Sequence, residues 1–294
     1  MSNRDQFDRR DALKLTALGL AGAIGCSGKS DTWPSKPSGS SFGGLKVGLT
    51  SYTTRKLSLD DTIAALQRFD IKYISLKSVH LSLDSSKAER QEVGRKIADA
   101  GLELMGCGVL DLKNDERQIR DVFDYCVDVG APMAVSAPAR DSLGAIDKVI
   151  RDYDNLKVAI HNHGPEDENF PSPTGTYQAI QGLDERIGCC VDVGHTFRLA
   201  EDPVTALKAV SSRLYDVHLK DIKVTNEKPP MTWPYPLLPV GRGVIDHPSI
   251  LRTLAELKFS YQVALEWEGE ENDPLPGMAE SYGYMRGVMA NSQS

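Results

Sequence analysis

The chain has 294 residues, 40% of them hydrophobic, which is enough for one large domain with a sizeable core. Its formal net charge is −7 and no long run of Lys or Arg occurs, which argues against nucleic acid as a partner, because phosphate binding calls for a basic stripe. The acidic balance itself reads as ordinary solubility.

Residues 1–26 stand apart. "FDRRDALKLTALGLAGAIGC" sets Arg9 and Arg10 ahead of an apolar stretch from Leu13 to Ile24. A stretch this short falls below the roughly 20 residues that span a bilayer, but it suits the apolar region of an export signal. The arginine pair resembles a twin-arginine signal, and the ending resembles a lipoprotein cleavage box that would put a lipid anchor on Cys26. Residues 27–44, rich in Ser, Gly and Pro, read as a flexible tether. The expected location is therefore exported, periplasmic or membrane-anchored through Cys26. Cys107, Cys126, Cys189 and Cys190 fall in strand-like or helix-like runs and read as core thiols.

From residue 45 to 294 a single rhythm repeats, a short β-rich run followed by an amphipathic segment. The strands are expected at 46–53, 73–81, 102–110, 132–139, 157–163, 187–195, 214–221 and 261–269. Many are rich in Val, Ile, Leu and Ala without alternation, as parallel strands covered by helices are. Between them lie helix-start signals: Ser58 followed by Asp60 and Asp61, Ser86 ahead of a segment that ends at Gly101, and Pro203 in a first turn. Eight βα units in one domain predict a (β/α)8 TIM barrel. A doubly wound sheet is disfavoured because Ser51-Tyr52-Thr53 stands where a Gly-rich dinucleotide loop would follow the first strand.

In such a barrel the chemistry sits at the C-terminal ends of the strands. The fifth run ends with His161, Asn162 and His163, and the sixth with Asp192 and His195 in "DVGH". The seventh carries His218, Lys220 and Asp221, and the eighth Glu266 and Glu268. Four of the six histidines gather at three of these ends. Any one of them alone reads as a loop cap or a satisfied core group. Together they crowd ionisable groups in a way that a divalent cation would neutralise.

"DVGH", "HLKD" and "LEWE", in this order and spacing, resemble the xylose isomerase-like sugar isomerase/epimerase superfamily, and "PVGRGVIDHPSIL" resembles the Gly-rich segment before that family's last helix. The resemblance covers the chain after the tether. It implies one divalent ion at the rim, held by His161, Asp192, His218 and Glu266, with His195 as a substrate contact. Asn162, Trp233 and Arg242 are expected to contact substrate as well. Many family members carry Glu where His161 stands, so an anion is replaced by a neutral imidazole, and His161 is either ligand or proton carrier. The mixed nitrogen and oxygen set favours Mn, Co, Zn or Fe over Mg.

Such an ion can polarise a sugar carbonyl and stabilise the enediolate left by deprotonation of the adjacent carbon. Glu266, His161 and His163 are the candidate bases, worth about 10²–10⁴-fold when well placed. Lys77 and Lys220 are expected either to donate to a developing oxyanion or to pair with the rim carboxylates. The function expected is isomerisation or epimerisation of a small carbohydrate. Elimination from a keto-sugar or keto-glycoside comes second, and a sugar-binding barrel without catalysis third. A homo-oligomer stays open.

Overall fold

The computed structural model describes residues 42–223, 230–232 and 234–291. Trp233, the segment with Arg9, Arg10 and Cys26, and all but the last three residues of the tether lie outside the described residues.

Eight parallel strands close into a barrel: β1 (Lys46–Thr50), β2 (Tyr73–Leu76), β3 (Glu103–Leu112), β4 (Met133–Pro138), β5 (Lys157–His161), β6 (Ile187–Asp192), β7 (Leu214–Leu219) and, after a small antiparallel pair of β8 (Asp221–Ile222) and β9 (Leu237–Leu238), β10 (Gln262–Leu265). The ring runs β1-β10-β7-β6-β5-β4-β3-β2, so first and last strands meet, with Leu49 paired to Leu265. The helices are α1 (Leu59–Arg68), α2 (Lys87–Asp99), α3 (Glu116–Val129), α4 (Leu143–Ile150), α5 (Pro173–Ala179), α6 (Val193–Arg198), α7 (Pro203–Ala209), α8 (His247–Glu256) and α9 (Leu275–Asn291). The expected (β/α)8 barrel is the fold.

The local chemistry accounts for the boundaries. Ser58 caps α1 by accepting from the Asp61 amide, and Ser86 with Glu89 closes a capping box on α2. Gly101, just past α2, takes φ +77°, a left-handed turn that glycine enters without strain. Two apolar layers result, a large one between strands and helices and a small one inside the barrel formed by Met133, Val135, Ala159, Cys190 and Tyr215. The four described cysteines are buried and free.

Seven expected strands stop early, all but the one at 102–110, and three of these stops matter for the barrel mouth. The run at 187–195 ends as a strand at Asp192, whose side chain accepts from the His195 amide at 2.8 Å and so caps α6. Gly194 sits in that turn because a Cβ there would lie 2.8 Å from Lys220 Cβ. The run at 157–163 ends at His161. Asn162, expected to touch substrate, is instead fully buried: its Oδ1 accepts from the Asp192 amide at 2.9 Å and its Nδ2 donates to Thr196 Oγ1 at 3.2 Å. It latches β5 to β6 and has no face left for a ligand.

The run at 214–221 breaks before Asp221, which begins β8. Asp221 Oδ1 accepts from the amides of Ile222 and Ile245, and Oδ2 from those of Gly241 and Gly243. A Cβ on Gly243 would stand 2.0 Å from Asp221 Oδ1, so the glycine lets the backbone reach the carboxylate. The Gly-rich segment is thereby tied to the end of β7, ahead of α8 and not of the last helix. Arg242, expected at the substrate, pairs through Nε with Glu280 of α9 and remains 62% exposed. Removing the acceptor strands buried amides, so Asp221→Ala should cost on the order of 3–5 kcal/mol. Urea unfolding monitored by circular dichroism checks this, and a loss below about 1 kcal/mol would contradict the latch.

Candidate active site and metal centre

The ends of β5, β6, β7 and β10 bring their polar side chains to one point. One donor atom each from His161, Asp192, His218 and Glu266 lies within 4.8 Å of the others, and all four residues are buried. His161 Nε2 is 3.0 Å from His218 Nδ1 and 3.5 Å from Asp192 Oδ2. His218 Nδ1 is also 3.1 Å from Glu266 Oε2. Strand register produces this directly, since His161 is level with Cys190, two residues before Asp192, and Asp192 is level with His218.

The second nitrogen of His218, Nε2, faces Asp216 Oδ2 at 3.2 Å. A carboxylate behind an imidazole fixes ring orientation and raises the basicity of the nitrogen in front. Asp216 shares a strand face with His218 two residues away. It was visible in "DVHLKD" and could have been assigned this role from that spacing alone. His161 has no such support, because its Nδ1 is buried without a partner among the described residues.

Lys220 enters from the end of β7. Its ammonium lies 3.3 Å from Asp192 Oδ2, 3.1 Å from Glu266 Oε2 and 2.5 Å from Glu268 Oε1. Of the two roles open to it in the sequence, the structure shows the carboxylate partner. Lys77 is more remote: it follows β2, lies 5.1 Å over the Tyr52 ring and reaches the Val109 carbonyl at 3.5 Å. Burial lowers its pKa, against the pull of Glu266.

These contacts set the charge states. Burial alone would raise the pKa of Asp192, but Lys220 and then His195 hold it well below the usual carboxylate range. Glu266 follows the same pattern, with burial overcome by Lys220 and His218. Burial, and then His163, push His161 well below ordinary imidazole, so it is neutral. For His218 burial is outweighed by Cys190, Glu266 and Asp216, and its pKa lies well above the ordinary value. The two carboxylates act most directly, standing within 3.2 Å of its two ring nitrogens. In direct contact, four carboxylates (Asp192, Asp216, Glu266, Glu268) thus face one ammonium and one imidazolium. Two negative charges remain while His218 keeps its ring proton and three once it gives that proton up as a ligand, so a divalent cation would offset most of them. Among the described residues Asp192 Oδ2 is buried and accepts no hydrogen bond, although Lys220 stands near it. The oxygen and nitrogen donors, their spacing and this residual charge all fit a divalent ion.

Around the cluster lie two further histidines and a buried arginine. His163, half-buried, stacks on His161 with ring centroids 4.3 Å apart and faces Asp167 at 3.5 Å. His195, at the start of α6, is pushed down to about 3 by burial and so is neutral. Arg198, buried in the same helix, was not singled out in the sequence, where it looks like any helix arginine. It donates to His195 Nδ1 at 2.9 Å and to the Met231 carbonyl at 2.8 Å, pairs with Glu166 and stacks on Tyr235.

Comparison with known proteins agrees with this architecture. The family described as xylose isomerase-like TIM barrel matches residues 63–288. No curated protein matches the chain by sequence. Among solved structures, a protein from Parabacteroides distasonis is similar at 22% identity and a TM-score of 0.63, covering 85% of this chain and 100% of that one. L-ribulose 3-epimerase is similar at 15% identity and a TM-score of 0.66, covering 84% and 95%. A probable 3-DHS dehydratase of petrobactin synthesis from Bacillus anthracis is similar at 12% identity and a TM-score of 0.63, covering 85% and 99%. At these identities the likeness establishes the fold. With the family match running over most of the barrel and the polar cluster at its C-terminal rim, the chain belongs to the xylose isomerase-like TIM barrel family.

Proposed function

We propose that the chain is a divalent-metal-dependent enzyme acting on a small carbohydrate, an isomerase or epimerase that removes a proton from the carbon beside a carbonyl. One observation carries this reading: His161, Asp192, His218 and Glu266 offer donor atoms within 4.8 Å of one another at the barrel mouth. The family and the likeness to L-ribulose 3-epimerase support it. In this reading the four residues hold the ion, and two imidazoles with two carboxylates favour Mn, Co, Zn or Fe over Mg. Once bound, the ion supplies Lewis acidity, polarising a carbonyl and offsetting negative charge on its oxygen.

The chain's own groups handle the proton. Glu266 is unprotonated, which a base must be, and is assigned to take the proton from carbon. With His161 held as a ligand, the proton delivered on the other face or at the neighbouring carbon is assigned to His163, three strands round the barrel from Glu266. His163 stacks on His161 and is 35% exposed, so it can exchange protons with solvent. Lys220 steadies negative charge near Glu266. A leaving group at the β-carbon would turn the same deprotonation into elimination, a branch favoured by the likeness to the dehydratase.

The ligand assignment predicts that Asp192→Ala or His218→Ala loses stoichiometric metal while the circular dichroism spectrum stays that of the barrel. Both variants retaining the ion in elemental analysis would sink it. The titration state of His218 gives a sign. Its raised pKa means that the ion-free chain holds a proton on the ring at neutral pH, and binding must expel it. Affinity should therefore rise about tenfold per pH unit below the His218 pKa and level off above it. Calorimetry in buffers of different ionisation enthalpy should find one proton released per ion, and none released would contradict the assignment. For the reaction, metal-loaded protein incubated with keto-sugars in D₂O should incorporate deuterium beside the carbonyl, seen by NMR. Glu266→Gln should lower that exchange about 10²-fold or more, and undiminished exchange would remove Glu266 as the base.

A further inference from the structure

We propose that Arg198 is a positioning residue that locks the His195 ring into one tautomer, with the proton on Nε2, so that this ring can only donate a hydrogen bond into the cluster. The role of that donor toward a substrate rests on the function proposed above, whereas the lock itself follows from the hydrogen-bond inventory.

Two cations compete for one imidazole. Arg198 Nη1 lies 2.9 Å from His195 Nδ1, and Lys220 Nζ lies 3.5 Å from His195 Nε2. Guanidinium and ammonium groups have donors and no acceptors, so each would need a lone pair on the nitrogen it faces. A neutral imidazole has only one such nitrogen. Arg198 wins on distance and on rigidity. Its side chain is 2% exposed and held at three further places, by the Met231 carbonyl at 2.8 Å, by Glu166 and by the Tyr235 ring 4.2 Å from its Cζ. Lys220 has three carboxylates closer to it than His195 is. Nδ1 therefore accepts, and Nε2 carries the hydrogen.

The orientation has a chemical consequence. His195 Nε2 faces the cluster, 4.0 Å from Asp192 Oδ2 and beside the Lys220 ammonium. Nε2 thus presents a donor at this edge of the site, beside the Asp192 carboxylate. At Nε2 itself a ligand must then offer an acceptor, such as a carbonyl, hydroxyl or oxyanion, because an N–H there would face donor against donor. The lock also ties the site to its surroundings, because the same guanidinium binds Glu166 from the loop after β5 and Met231 from the loop after β8.

Long-range ¹H–¹⁵N correlation on the full ¹⁵N-labelled chain tests this, with the His195 ring assigned by its disappearance in His195→Gln. The spectrum is recorded after chelation and again with Zn²⁺. The expected result in both is a pyridine-type Nδ1 and a pyrrole-type Nε2. Arg198→Met should lose the separation of the two nitrogen signals, and Arg198→Lys, which keeps a donor, should restore it. A wild-type ring with hydrogen on Nδ1 or on both nitrogens would overturn the lock, and this reading survives even if Arg198→Met does not fold. A folded Arg198→Met that keeps the wild-type pattern would equally refute the role of Arg198. Failure of the metal reading would appear elsewhere, as His161 and His218 signals that ignore Zn²⁺.

Discussion

The Lys220 ammonium is buried between Asp192, Glu266 and Glu268, and these contacts let three carboxylates share the mouth of a barrel from which water is largely excluded. Charges this close interact at about 4 kcal/mol each where the effective dielectric is near 20. Without the cation, the carboxylates would take up protons or move apart, since a buried uncompensated charge costs several kcal/mol. Asp192 and Glu266 both owe their depressed pKa values first to Lys220 among the groups that oppose burial. The cation keeps two oxygen donors ionised without satisfying the whole charge of the site. That incomplete compensation leaves the cluster receptive to a further cation instead of closing it as a salt bridge.

Holding such a cluster demands rigid loops, and the chain supplies them with groups that are themselves polar and buried. Asn162 links β5 to the amide of Asp192, so two of the four clustered residues are placed by one side chain between them. Asp221 gathers the Gly-rich segment behind β7, one residue after Lys220. Arg198 spans from α6 to the loops after β5 and β8. Each latch lies next to a clustered residue in sequence or touches a neighbour of one. Precision at the cluster thus comes from its support, as expected where polar groups must be held against repulsion.

The eight-fold alternation and the strand-end position of His161, Asp192, His218 and Glu266 were readable because both depend on local pattern: apolar β runs, capping residues, and polar groups where those runs stop. What escaped was what depends on three-dimensional neighbours. "DVGH" reads as a continued strand, yet its Asp caps a helix, and only the approach of Lys220 explains the glycine. Asn162 between two histidines invites a ligand role, but the β5–β6 register turns it inward. Arg242 looks poised beside glycines, and a partner on α9 draws it away. Arg198 carries no sequence signal, since nothing local distinguishes a buried arginine from an exposed one on a short helix.

The residue at 161 then takes on a particular meaning. Structures of this fold include L-ribulose 3-epimerase and a probable dehydratase, so the fold decides little and the site must decide the rest. A carboxylate at 161 would add a third negative donor beside Asp192 and Glu266, and the Lys220 ammonium already has three carboxylates in contact. A neutral imidazole avoids that repulsion and stays neutral because burial and His163 disfavour its charged form. A ligand imidazole also lacks the second oxygen with which a carboxylate could carry a proton, so proton exchange on this side falls to His163, which stacks on it and reaches solvent. The two sides of the cluster are therefore chemically unequal: an ionised carboxylate on β10 against an uncharged imidazole on β5. Under the function proposed above, proton removal and proton return would fall to groups of different basicity.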